Sequence, residues 1–168
     1  MAKNNTKHAA IAKLPPVLKQ TMAKPISGYT DPADLRTLMT NAKRLGRDDI
    51  WREAFRQLCS LEGADQTDPL HRDFYQTLAA YEQLLTQKNG RATRASRTRL
   101  KLKSKGVIQC LEDWVLSKTP TESYELLVAN SLVEMTGESI VLKYPEQFSE
   151  AGVAAAKARL AAPADQAA

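Results

Sequence analysis

The chain has 168 residues, 43% of them hydrophobic and 26% charged, with a formal net charge of +5. That length fits one domain with tails, and seven Gly and eight Pro at this apolar content exclude collagen, coiled-coil rods and fully disordered chains. No apolar run approaches the roughly 20 residues that cross a bilayer, and two cysteines, Cys59 and Cys110, are too few for a disulfide scaffold or a zinc knuckle.

Residues 1–28 read as a flexible basic arm. The first 30 residues carry five Lys and no acid. Pro15, Pro16 and Pro25 break any helix, and Ala9–Ala12 is too short for a signal-peptide core. The absence of Arg there sets the arm apart from mitochondrial presequences, so a cytoplasmic location is expected.

Helix starts punctuate the chain beyond the arm. Thr30-Asp31-Pro32 places a capping Asp before a Pro at the first helical position. Leu35, Leu38, Met39, Ala42 and Leu45 then recur at helical spacing, and Gly46 supplies a left-handed stop. Asp48-Asp49 offers a second cap before the stripe of Ile50, Trp51, Ala54, Phe55, Leu58 and Leu61, closed by Gly63. Thr67-Asp68-Pro69 repeats the first start signal. Its stripe is Leu70, Phe74, Leu78, Tyr81 and Leu85, ending near Asn89-Gly90. Two such starts without further matching positions do not establish a solenoid repeat.

The next segment carries the strongest signal. Residues 83–111 hold eight cations and no acid, whereas 31–82 sum to −3 and 112–168 to −5. At about 100° per residue on a helix, Arg91, Arg94, Arg97, Lys101 and Lys105 share one face, with Leu100, Val107, Leu111 and Trp114 opposite. Leu102 is a misfit near the basic face, and Gly106 is a potential kink. An edge strand over 97–103, with Leu100 and Leu102 alternating with cations, is the competing reading.

Thr119-Pro120-Thr121-Glu122 resembles a capping box, with Tyr124, Leu127, Val128 and Leu132 on the buried face. Ile140-Val141-Leu142, after Thr136-Gly137-Glu138 and before Pro145, fits a short helix or a short strand. Ser149-Glu150 caps a last Ala-rich helix to about Leu160, and residues 162–168 read as a disordered tail. The expected fold is all-α: a compact multi-helix domain over 29–161, with about six to seven helices, short connections and flexible N- and C-terminal tails.

Cations every three or four residues along a helix can meet successive nucleic-acid phosphates. Five such contacts on duplex DNA would give a slope of log affinity against log salt of about −4.5. The candidate nucleic-acid-binding residues are Lys88, Arg91, Arg94, Arg97, Arg99, Lys101, Lys103 and Lys105, with duplex DNA favoured. An acidic protein partner, or self-association, is the alternative, and a merely solvated face is the bland one. Membrane binding is disfavoured because the apolar side is expected to be committed to the core.

No catalytic, cofactor or metal site is expected. His71-Arg72-Asp73 resembles the kinase catalytic loop, but Leu78 stands where that motif needs Asn. His71 reads as a first-turn helix residue, and His8 lies in the arm. Cys59 and Cys110 read as buried thiols. Asp48, Asp49 and Glu53 read as a cap and an exposed face rather than a metal cluster. Trp51 and Trp114 read as core, while Tyr29, Tyr75 and Tyr144 are candidates for exposure.

Overall fold

The computed structural model describes residues 25–62 and 65–162. Of the arm expected over 1–28, residues 1–24 with His8 lie outside those residues, as do the closing Gly63 and residues 163–168 of the expected tail; residues 26–28 are not a flexible arm but a 3-10 turn with Ile26 buried. Among them the fold is all-helical, with seven α-helices, three short 3-10 turns and no strand. The chain divides into two compact units, Met1–Leu61 and Glu62–Ala168.

The described part of the first unit is a helical hairpin preceded by a 3-10 turn at Ile26–Gly28. Helix α1 spans Pro32–Arg44, and its Asp31 cap accepts the Ala33 N–H at 2.8 Å. Gly46, at φ 65°, ends it in a Schellman turn: the Arg47 N–H reaches the Ala42 carbonyl and the Gly46 N–H reaches Lys43. Helix α2 spans Asp48–Ser60 and starts one residue earlier than an Asp cap would require. Arg47 stands at the cap position, and its guanidinium clamps Asp49 through two hydrogen bonds of 2.9 and 2.7 Å. Leu35, Leu38, Met39 and Ala42 of α1, and Trp51, Ala54, Phe55 and Leu58 of α2, are buried. Gln57 donates to the carbonyls of Ser27 and Tyr29, which fastens the 3-10 turn onto α2.

The second unit holds α3 (Pro69–Asn89), α4 (Ser96–Val115), α5 (Glu122–Ala129), α6 (Gly137–Lys143) and α7 (Glu150–Ala161). Asp68 caps α3 through the His71 N–H, so the backbone of His71 does belong to a first helical turn. Thr121, not Thr119, caps α5, through the Tyr124 N–H. No capping box forms, because with Thr121 as the cap Tyr124 stands at the third helical position, and the Glu122 carboxylate instead pairs with Lys88 and Tyr81 of α3. Thr136 caps α6 through Ser139 and settles Ile140-Val141-Leu142 as helix. Ser149 caps α7 through Gly152.

The core of this unit lies where α3, α4, α6 and α7 meet: Phe74, Leu78, Leu111, Val115, Ile140, Val141 and Ala156. Phe74 and Trp114 stack with ring centroids 5.5 Å apart. Gly137 is required at this spot, since a Cβ there would lie 2.7 Å from the Trp114 ring. One ion pair is buried within the same unit. Glu138, 1% exposed, accepts from Arg159 at 2.7 Å, and Arg159 also donates to the carbonyls of Trp114 and Ser117. Burial pushes the Glu138 carboxyl up, against the lowering effect of Arg159.

Helix α4 is broken. Gly106 sits at φ 78°, ψ 176°, so its residues form two helical pieces that meet at an angle. The break shifts the phase of the apolar seam. Val107, Cys110, Leu111, Trp114 and Val115 are buried after it. Before it Leu102, the misfit, packs against the core, while Leu100 is 71% exposed. The expectation that Leu100 continues the seam is therefore overturned: it requires a straight helix across a residue that does not keep helical dihedrals.

Candidate functional site

The eight cations occupy three settings. Lys88 ends α3, Arg91 and Arg94 lie in the connection before α4, and the other five ride the first piece of α4. The single helical sector expected from Arg91 to Lys105 thus does not exist, because α4 begins only at Ser96. Gly90, at φ 65°, turns the chain out of α3. The connection is then pinned by its own hydroxyls: the Thr93 N–H donates to Thr86 Oγ1 at 3.0 Å, and Thr93 Oγ1 donates to the Arg91 carbonyl at 2.9 Å.

The stretch is acid-free in sequence but not in space. Glu82 of α3, with its side chain 13% exposed, holds Arg99 through Nε–Oε1 at 2.6 Å and Nη2–Oε2 at 2.7 Å. The same carboxylate accepts the Ala95 N–H at 2.9 Å and so anchors the cap residue of α4, which has no side-chain cap of its own. Burial pushes Glu82 up, but the Arg99 and Ala95 hydrogen bonds outweigh it and leave the carboxyl below its ordinary range. Asp113 takes Lys101 at 2.5 Å and Lys105 at 3.6 Å, and it accepts from Gln109 at 2.8 Å. Hydrogen bonds from Lys101 and Gln109 hold Asp113 low. Glu122 takes Lys88 at 2.8 Å and is likewise held low, first by Lys88 and then by Tyr81.

Four of the eight cations are therefore paired, and Arg99 most firmly, through a bidentate bond to a shielded carboxylate. The Lys88 pair is half-exposed on both sides and so worth about 0–1 kcal/mol. Arg91, Arg94, Arg97 and Lys103 are exposed and make no ion pair among the described residues. Arg94 also borders a hollow with Glu62, Asp65 and Glu82, where its charge helps to hold Glu82 low. The eight cations thus have Glu82, Asp113 and Glu122 as partners, Glu62 and Asp65 border Arg94, and Leu100, 71% exposed, stands among them in the chain.

Glu82, Asp113 and Glu122 lie outside the basic run. Their only sequence signal is that each sits on a helical stripe beside it. Cys59 and Cys110 are buried and form no disulfide, and burial pushes the Cys110 thiol up. Trp51 and Trp114 are core, and Tyr29, Tyr75 and Tyr144 are half-buried rather than exposed. Among the described residues no three His, Cys, Asp or Glu side chains are grouped to hold a metal, and no helix is long and apolar enough to cross a membrane. No protein-family model, curated protein or solved structure matches this chain.

Proposed function

We propose that this chain is a non-enzymatic nucleic-acid-binding protein, with duplex DNA as the favoured ligand. Arg91, Arg94, Arg97 and Lys103 contact backbone phosphates, while Lys88, Lys101 and Lys105 stay against their carboxylates and add only diffuse attraction. Arg99 is a brace: it fixes the start of α4 through Glu82. The observation that carries the reading is the group of four exposed cations without an ion-pair partner, set on a backbone pinned by Thr86, Thr93 and Glu82. Rigid placement lowers the entropy lost on binding, and Arg supplies the planar fork that suits phosphate. The absence of a disulfide at the buried Cys59 and Cys110 fits the reducing cytoplasm.

Four phosphate contacts give a slope of log affinity against log salt of about −3.6. Anisotropy titrations of a labelled random duplex across a salt series test this. A slope near that value supports the reading, and affinity that is absent at low salt or indifferent to salt overturns it.

Leu100 favours a second reading. An apolar side chain 71% exposed among cations suits a partner helix with acidic and apolar residues on one face. That reading expects a discrete complex by size-exclusion chromatography, with no nucleic acid co-purifying.

A further inference from the structure

A groove of about 430 Å³ opens between α3 and the break in α4, beside the cationic surface. It is lined by His71, Tyr75, Arg99, Leu102, Lys103, Gly106 and Val107. Backbone-phosphate contacts alone leave this groove without a role. Its size is that of small-molecule sites, and no carboxylate lines it. Arg99 spends Nε and Nη2 on Glu82, which leaves its Nη1 donors free and the guanidinium plane fixed. Lys103 adds an exposed ammonium with no ion-pair partner among the described residues. Tyr75 is half-buried and held edge-on against Phe74 at 5.8 Å, so its ring is a positioned flat surface. Leu102 and Val107 supply apolar lining, and Gly106, beside which a Cβ would meet nothing within 4 Å, borders the groove.

We propose that this groove seats one unpaired nucleotide, its phosphate on Lys103 and Arg99 and its base against Tyr75. The ligand class rests on the nucleic-acid reading above; the seat itself rests on the groove. Phosphate alone would answer to the cations, but an aromatic ring beside an aliphatic wall adds recognition of a base. The ligand is then either a free nucleotide or the end of a strand.

The test uses the full ¹⁵N-labelled chain, with AMP, inorganic phosphate and a short 5′-phosphorylated single strand as probes. AMP is expected to shift the amides of Gly106 and Val107, with phosphate alone needing about tenfold more to do so. Tyr75→Leu, which keeps an apolar side chain, is expected to raise the AMP midpoint about fivefold or more. Lys103→Glu, at an exposed position that folding tolerates, is expected to abolish the response. A midpoint lower for the strand than for AMP assigns the seat to a strand end, and an equal midpoint assigns it to a free nucleotide. Equal midpoints for AMP and phosphate, or shifts that avoid Gly106 and Val107, overturn the proposal. Duplex binding without an AMP response overturns the groove alone. An AMP response without duplex binding supports the groove and overturns the duplex reading.

Discussion

Lys101 Nζ lies 2.5 Å from Asp113 Oδ2, although twelve residues separate them on what is nominally one helix. Along an unbroken α-helix twelve residues rise about 18 Å, beyond the reach of the two side chains. The pair closes because Gly106 folds the two pieces of α4 toward each other. One backbone position thus sets both the neutralisation of Lys101 and Lys105 and the exposure of Leu100.

Gly106→Ala tests that position. Its dihedrals lie in a region essentially reserved for glycine, and no atom stands where a Cβ would go, so the cost is conformational strain of about 1–3 kcal/mol. Urea unfolding of the variant should show this loss. Stability equal to the parent would mean that the break is not a fixed part of the fold.

Asp113→Asn should strengthen polyanion binding. It releases Lys101 and Lys105 from their shared carboxylate, and each cation that gains a phosphate steepens the salt slope by about 0.9. Titrations of the variant and parent against one duplex at matched salt check this. Unchanged affinity would place these two lysines outside the interface.

Stability should fall in acid, with Glu82 a leading cause. Its carboxyl is lower in the fold than in the unfolded chain, so its contribution is fully present above the ordinary Glu range and is lost as pH falls through its folded value. Asp113 and Glu122 act with the same sign, and Asp49, lowered to about 2 by the Arg47 hydrogen bonds, does so in the first unit. Glu138 acts oppositely, because burial raises it. Urea midpoints between pH 7 and pH 3 should decline in the parent. The decline should be shallower in Glu82→Gln, which starts from a lower stability. A Glu82→Gln profile parallel to the parent's would remove Glu82 from this account.

Arg159→Ala should be among the most damaging single changes in the second unit. It strips the buried Glu138 of its partner and frees two part-buried carbonyls, at a cost of about 3–5 kcal/mol. Thermal unfolding by circular dichroism measures it. A small loss would mean that water or a protonated Glu138 replaces the guanidinium readily.

Local chemistry made much of this fold legible. Asp31-Pro32 and Asp68-Pro69 start helices where they should, because cap and first-turn proline act within three residues. The stripes on α1, α2 and α3 supply the buried faces within the helices, whereas Leu45, at the cap position after α1, is exposed and Ile50, Leu61 and Tyr81 are only half-buried. The features that escaped reading depend on distance or on a break in period. Glu82 reaches Arg99 across seventeen residues and Lys88 reaches Glu122 across thirty-four, so an acid-free run in the chain is not an acid-free surface. Leu100 and Leu102 exchanged roles once Gly106 left the helical region. Leu132 is buried not on α5 but just past it, where Ser131 at φ 58° turns its N–H back to the Leu127 carbonyl.

The most direct measurement is the salt dependence of duplex binding by the parent and by the variant Arg91→Ala, Arg94→Ala, Arg97→Ala, Lys103→Ala. All four positions are exposed and unpaired among the described residues, so the variant should fold as the parent does. The parent slope is expected at about −3.6 or steeper, with a variant whose affinity collapses and whose slope flattens toward zero. Equal affinity and equal slope in the two proteins would contradict phosphate binding by these four cations.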